Sequence, residues 1–382
     1  MKKLFFSLSL LTLLSLNGYS QTLTAITHVN IVDVKNEKII SDKTVLIKGD
    51  KIEKIGANLK LPSNVKIIQG KDKFLIPGLW DMHFHNLDDE SAEETNNAVI
   101  PILIANGITG VRDMLGLGIT LKRRDSVRDG KLIAPETYVG AMLDGPTPMQ
   151  PFAIPVNDTL RAVVLVDSLK NAGYDFIKVY SLLPREVYFA IAAESKKLNI
   201  PFEVHVPHSI TPLEAALAGQ KSLEHQLGMI LQCSYLPDSL KNEYGKLQLL
   251  FRGGKDIAYK LDSLINTFDI RKLNKAANIF IQTGAWYCPT IITMQNIFRK
   301  LKNVKEEIKN DSLMQYVTKD AKDGWEQMGE RFANFASEDW NIKSKMLELS
   351  NKIVKALYDK KVNMLAGDDN NNPFCYAGFS LH

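Results

Sequence analysis

The sequence predicts an α/β chain: a closed (β/α)8 barrel of the TIM type, preceded by part of a small β-domain. Three observations predict it. An apolar stretch, Phe74-Leu-Ile-Pro-Gly-Leu-Trp80, runs into His83-Phe-His85. Seven more strand-like segments follow, separated by amphipathic helical ones; strand–helix alternation implies a parallel sheet, and eight strands imply closure. Short β-rich segments fill the chain between Thr22 and Lys73, ahead of the barrel.

The chain begins with a leader pattern. Lys2 and Lys3 precede an apolar run from Leu4 to Leu16, and Gly18 and Ser20 are the small residues a signal peptidase needs. Residues 1–20 are therefore expected to be a signal peptide, cleaved before Gln21. The apolar run is too short to span a bilayer, and the absence of a cysteine near the cut argues against a lipid anchor there. The mature protein is expected to be exported, periplasmic or secreted, and off the membrane. Hydrophobic residues are 45% and charged residues 24% of the 382, an ordinary globular composition. A net charge of +4, two units of it in the leader, gives no basis for nucleic-acid binding. Cys233, Cys288 and Cys375 are odd in number, which excludes a fully paired disulfide framework.

Residues 21–73 read as the N-terminal part of a small β-sandwich. Ile26 to Val34 precedes a polar turn at Lys35-Asn36-Glu37; Thr44–Ile47 and Lys51–Ile55 flank Lys48-Gly49-Asp50, a hairpin signal; Val65–Ile68 is one more strand. So few strands bury little alone, and strands from elsewhere in the chain are expected to complete the sheet. His28 has no ligand-type neighbour and reads as a packed or surface histidine.

Residues 74–382 read as the barrel. Phe74 to Trp80 is its first, buried strand, with Pro77-Gly78 marking a kink or strand start. The others are Gly107–Asp113, Glu136–Gly140, Asp175–Tyr180, Pro201–His205, Lys221–His225, Trp286–Ile291 and Lys361–Ala366. Helical patterns such as Thr159–Ala172 and Arg185–Leu198 lie between them. Two long helical interruptions, Leu227–Thr283 and Ile297–Asp359, are expected beside or above the barrel.

The chemistry-bearing residues fall at strand ends. In an extended chain residues i and i+2 point the same way, so His83 and His85 project together, either as a ligand pair or as two polar loop residues. His205 and His225 end the fifth and sixth strands, Lys178 lies in the fourth, and Asp368 and Asp369 follow the eighth. That end of such a barrel is its active face. Four histidines and a carboxylate from different strands suffice to hold two divalent ions.

These residues lie in Pro77-Gly-Leu-Trp-Asp-Met-His-Phe-His85, Gly110-Val-Arg-Asp-Met114, Ile177-Lys-Val-Tyr180, Val204-His-Val-Pro207, Ser222-Leu-Glu-His225 and Ala366-Gly-Asp-Asp369. Together they resemble the amidohydrolase superfamily, and within it the imidazolonepropionase-like and Xaa-Pro-dipeptidase-like metal-dependent hydrolases. The resemblance runs from Thr22 to His382. It implies that His83, His85 and Asp369 hold one metal ion and His205 with His225 another, two divalent ions with zinc the expected metal. Lys178, carboxylated by carbon dioxide, would bridge them as a carbamate; a plain buried or snorkelling lysine is the alternative. Asp369 would serve both as ligand and as the catalytic proton shuttle. Tyr180 and His208 are candidate substrate contacts, with packing as the alternative for each.

Two departures from the family stand out. The family carries Ala-Gly-Thr-Asp or Ala-Gly-Ser-Asp where this chain has Ala366-Gly-Asp-Asp369. The extra carboxylate of Asp368 is expected to raise the proton affinity of its neighbour. The family also continues past Gly378-Phe-Ser-Leu-His382 through a last barrel helix and closing sheet strands, so the barrel and sandwich read as incomplete at the C-terminus. The expected activity is hydrolysis of carbon–nitrogen bonds, in dipeptides or N-acyl amino acids, by a hydroxide bridging two ions. The rivals are a mononuclear cyclic-amide hydrolase or deaminase of imidazolonepropionase type, and an inactive fragment or exported binding protein. The substrate is a small molecule or short peptide; neither its identity nor an oligomeric state is legible.

Overall fold

The computed structural model describes residues 22–86, 93–247 and 249–382; the leader lies outside them. The chain divides into two compact units after Pro77.

The first unit is one five-stranded sheet. β1 (Leu23–Asp33) pairs antiparallel with β2 (Lys38–Lys48), and β2 with β3 (Lys51–Gly56), across the expected turn at Gly49-Asp50. β4 (Lys66–Gln69) and β5 (Phe74–Leu75) both run parallel to β1. Its buried apolar positions include Ala25, Val29, Val45 and Leu46. His28 is exposed, and its Nδ1 lies 2.8 Å from Asp42 Oδ1.

The first predicted barrel strand needs correction. Phe74–Leu75 belongs to this small sheet, and Phe74 and Ile76 are exposed. Pro77 lacks an N–H to donate to a ladder, so the apolar stretch breaks there. The barrel strand proper is β6 (Leu79–Phe84). It is not apolar along its length: its buried positions are Asp81, His83 and Phe84.

The second unit is the barrel. After β6 come β7 (Ile108–Asp113), β8 (Glu136–Asp144), a short β9 (Ile154–Pro155) that extends the sheet beside β8, β10 (Phe176–Val179), β11 (Phe202–Val204), β12 (Ser222–Glu224), β13 (Trp286–Cys288) and β14 (Asn363–Met364). Apart from β9, each strand pairs parallel with the next. Met82 N donates to Ala366 O at 2.9 Å and Asp369 N to His83 O at 2.8 Å, which ties the last strand to the first. Several ladders are shorter than the sequence reading, because the ligand-bearing residues bend out of the strand at its tip.

Helices α1 (Glu93–Ala105), α2 (Gly118–Arg128), α3 (Thr159–Asn171), α4 (Arg185–Leu198) and α5 (Pro212–Ala218) occupy the crossovers. Their ends carry the chemistry that sets them. Asp158 Oδ1 accepts from Arg161 N at 2.7 Å at the start of α3, Asn199 takes φ 53° after α4, and Thr211 with Glu214 forms a capping box on α5. Val187, Tyr188 and Ile191 on α4 recur at helical spacing and are fully buried, in one core with Ile177, Val179 and Leu223 of the strands. The first long interruption is α6 (Leu227–Cys233), α7 (Asp238–Lys246), α8 (Lys255–Asn266) and α9 (Ile270–Thr283). The second is α10 (Ile291–Lys300), α11 (Val304–Asn310), α12 (Lys319–Phe332) and α13 (Ser337–Asp359). Among the described residues no helix is long and apolar enough to cross a membrane. The three cysteines are free and buried.

Candidate metal centre

The expected ligands converge at the C-terminal ends of the barrel strands. Asp369 Oδ1 lies 3.4 Å from His83 Nε2 and 3.3 Å from His85 Nε2, and Asp369 Oδ2 lies 4.0 Å from His225 Nδ1. The Nε2 atoms of His205 and His225 face each other at 3.0 Å. Lys178 is 1% exposed, with Nζ 5.3 Å from the centre of the Tyr180 ring. Ligand atoms of His83, His225 and Asp369 all lie within 4.8 Å of one another. That trio draws on both of the ligand sets expected from the family.

Three of the four histidines, His83, His205 and His225, share a pattern at Nδ1. His83 Nδ1 faces Glu224 Oε2 at 3.3 Å, His205 Nδ1 faces Ser181 Oγ at 3.3 Å, and His225 Nδ1 faces Thr290 Oγ1 at 2.8 Å. Partners at Nδ1 steady the rings and leave each Nε2 directed at the other candidate ligands. His83 Nε2 is buried without a hydrogen-bond partner, an arrangement that costs free energy unless an ion accepts the lone pair. Imidazole and carboxylate donors around that orphaned nitrogen fit a divalent cation such as zinc.

Electrostatics favour neutral imidazoles. Burial pushes His83 down to about 4, against the pull of Asp369 and Glu224. Burial likewise lowers His85, with Lys178 nearby, and lowers His205 strongly, with His225 and Lys178 nearby. Lys178 is pushed down to about 8 by burial, against Asp369, Asp113 and Glu224. Asp369 goes the other way: burial raises it, but His83, His85 and His225 together hold it well below the usual carboxylate range.

The expectation for Asp368 is corrected. Asp369, its sequence neighbour, is not raised. Asp368 is instead buried against Asp81, whose Oδ1 accepts from the backbone N–H of both His83 (3.1 Å) and Asp368 (3.2 Å). Burial raises both carboxyls, Asp81 to about 6 and Asp368 well above the usual range, and the negative charge of nearby Asp81 raises Asp368 further.

The centre opens into a cavity of about 610 Å³ whose lining includes Tyr180, His208, Met149, Phe152, Phe251 and Met294. Tyr180 Oη accepts from Gln150 Nε2 at 3.3 Å. His208 is half-buried, its backbone N–H donating to Ser181 O at 2.9 Å. Asp113 is structural, accepting from Asn86 and Leu115.

Sequence reasoning missed the supporting residues. Ser181 reads as an ordinary loop residue after a strand and Thr290 as part of the predicted strand Trp286–Ile291, which the structure ends at Cys288; neither carries a signal. Asn370 exchanges two hydrogen bonds with the His85 backbone, at 2.6 and 2.9 Å, and Asn371 Nδ2 adds a third at 3.0 Å; nothing in the Asn370-Asn371-Asn372 run marks it for that task. Glu224 sits inside a family-like motif with no role evident from sequence. The available signal is a carboxylate inside a short buried strand.

No family model matches the chain. Among solved structures, it is similar to the bottromycin amidohydrolase AH, at TM-score 0.69 and 20% identity over 94% of this chain and 71% of that one. It is also similar to a Xaa-Pro dipeptidase crystallised with methionine in its active site, at TM-score 0.58 and 16% identity over 94% of this chain and 82% of that one. The likeness to these solved structures is one of fold, a barrel of parallel strands with a separate small sheet. A curated relative, the imidazolonepropionase of Alkaliphilus metalliredigens (strain QYMF), is 39% identical over 66 residues, 16% of this chain and only 16% of that protein's length.

Proposed function

We propose that the chain is a metal-dependent hydrolase of carbon–nitrogen bonds, amide or peptide, acting on dipeptides or N-acyl amino acids. The observation that carries this is the convergence of His83, His85, His205 and His225 on Asp369 and buried Lys178, beneath a cavity large enough for such a substrate. The bottromycin amidohydrolase and the Xaa-Pro dipeptidase, both similar in fold, bear amide- or peptide-cleaving names.

In this reading His83, His85, His205, His225, Asp369 and Lys178 hold two divalent ions, zinc by preference. The unprotonated Lys178 amine adds carbon dioxide and releases a proton, giving a carbamate able to ligate where an ammonium is not. When bound, the ions supply the Lewis acid and the acidified water of metal-assisted hydrolysis. Asp369 takes the proton of the attacking water and returns it to the leaving nitrogen. Tyr180 and His208 contact the substrate from the cavity wall, and the apolar side chains of Met149, Phe152, Phe251 and Met294 limit water around it.

Asp369→Asn tests the shuttle. It is expected to lower kcat by about 10²–10⁴-fold while metal content, measured by elemental analysis, stays near that of the parent; near-parental turnover would sink the mechanism. A mononuclear, imidazolonepropionase-type reading is favoured by one observation, the tight trio of His83, His225 and Asp369. Two ions per chain support the binuclear reading, and one supports its rival.

A further inference from the structure

A buried ionic network lies inside the barrel beneath the centre. Arg112 on β7 is 2% exposed. Its Nη1 donates to Glu203 Oε2 (2.9 Å) and Ser222 Oγ (2.8 Å), its Nη2 to Glu224 Oε1 (2.7 Å), and its Nε to Met82 O (2.7 Å). Ser222 Oγ also donates to Glu224 Oε1 at 2.6 Å. One oxygen of Glu224 is thus saturated from the Arg112 side, and the other, Oε2, faces His83 Nδ1 at 3.3 Å.

This contact differs in kind from those of the other histidines. The hydroxyls of Ser181 and Thr290 donate or accept, so they leave the tautomers of His205 and His225 open. A carboxylate only accepts. Of the two carboxylates beside the ring, only Glu224 meets hydrogen-bond geometry, whereas Asp369 Oδ1, 3.4 Å from Nε2, does not; the proton therefore belongs on Nδ1 and Nε2 keeps a lone pair for an ion. Cys288 also lies within reach of His83 and Glu224, but a cation among those three would sit against the Arg112 guanidinium. The cluster therefore supports the centre and is not a second ion site.

We propose that Glu224, clamped by Arg112, is a positioning residue that fixes the tautomer and ring orientation of His83 so that Nε2 is presented to the ion. This rests on the metal-binding reading above and reaches beyond it, to residues that touch neither ion nor substrate. Glu203 supplies an internal control: it is buried, bonds the same guanidinium, and has no contact with His83 among the hydrogen bonds and ion pairs of the network.

The test compares Glu224→Gln with Glu203→Gln, each removing one negative charge beside Arg112. Zinc dissociation constants come from competition with a chromophoric chelator, and the His83 ring tautomer from ¹⁵N NMR of the metal-free protein. Glu224→Gln is expected to weaken zinc binding about 10–100-fold, with Glu203→Gln close to the parent. The parent ring should carry its proton on Nδ1, and the Glu224→Gln ring a mixture. Equal losses in both variants, or none in either, would reduce Glu224 to part of the scaffold and overturn the proposal. If Glu224→Gln fails to fold, the parent spectrum decides: a proton on Nε2 of His83 refutes it, one on Nδ1 supports it. A parent chain that binds no zinc sinks the metal centre itself, an outcome separate from equal losses in a chain that does bind. Turnover enters none of these readouts.

Discussion

Backbone conformation at single residues shapes the centre as much as side-chain identity does. Val204, His225, Thr290 and Asp369 all sit at strand tips with positive φ, at 93°, 63°, 42° and 51°. Each such residue costs about 1–3 kcal/mol and persists where its surroundings over-determine it. Here the bends lie in the same short stretches that carry His205, His225 and Asp369. Thr290 is the most telling, because its strained backbone delivers Oγ1 to His225 Nδ1 at 2.8 Å. Thr290→Val keeps the shape and removes the oxygen, whereas Thr290→Ser keeps the oxygen. The valine variant is expected to lose about 10-fold in zinc affinity and the serine variant to stay near the parent, by the same chelator competition. Equal affinities would mean that the hydroxyl does not hold His225. The histidines are legible in sequence because they are rare, seven in 382 residues, and four of them fall at strand ends; Asp369 is legible through the Ala366-Gly pair of a family-like motif. Val204 and Thr290 are not, since β-branched residues beside strands read as extended chain and left-handed backbone leaves no mark in a sequence.

Elements are legible where period and caps agree. β10 and α4 fall almost where their patterns put them, because Phe176–Val179 is a short apolar run and Arg185–Leu198 buries one helical face. The apolar run through Pro77 misleads, since hydrophobicity does not reveal which sheet supplies the partner strand. Within the second interruption, α13 is pinned to the loop before α8 by two ionisable residues. Asp339 Oδ1 accepts from Gly254 N at 2.8 Å, and Lys343 Nζ donates to Arg252 O at 2.7 Å. Lys343 is 0% exposed, and burial, opposed by Asp339, pushes it down to about 8. An unfolded lysine titrates near about 10.4. Between those two values the unfolded chain binds the extra proton, so this residue makes stability rise with pH across that window; below about 8 its cost is constant. The whole swing is about 3 kcal/mol. Lys343→Met removes the buried charge. Its stability relative to the parent, from urea midpoints, is expected to be highest near pH 7 and to decline by pH 10. A difference independent of pH would show that Lys343 stays protonated throughout the window.

At the scale of the molecule, ring closure and the site are one event. The hydrogen bonds Met82 N to Ala366 O and Asp369 N to His83 O join the last strand to the first, and the second of them sets Asp369 beside His83. Between these two bonds lies Gly367. A Cβ there would stand 2.5 Å from both His83 N and His83 Cβ and 3.0 Å from Cys288 Sγ, so the first and last strands meet only because that position has no side chain. Eight strand-like segments in order make the barrel legible, but nothing local shows that closure runs through one glycine; that follows from strands far apart in the chain coming together. Gly367→Ala is expected to destabilise the chain by about 1–3 kcal/mol through overpacking and to weaken zinc binding, because His83 and Asp369 sit on either side of the wedge. Gly324, exposed in the interior of α12, is the matching control, since a Cβ added there would meet nothing within 4 Å. Gly324→Ala should stabilise by up to about 1 kcal/mol and leave zinc affinity alone. Thermal midpoints with and without zinc separate the two effects. If Gly367→Ala melts with the parent and binds zinc as the parent does, the seam between β14 and β6 is loose enough to absorb a methyl group, and closure does not set the ligand geometry.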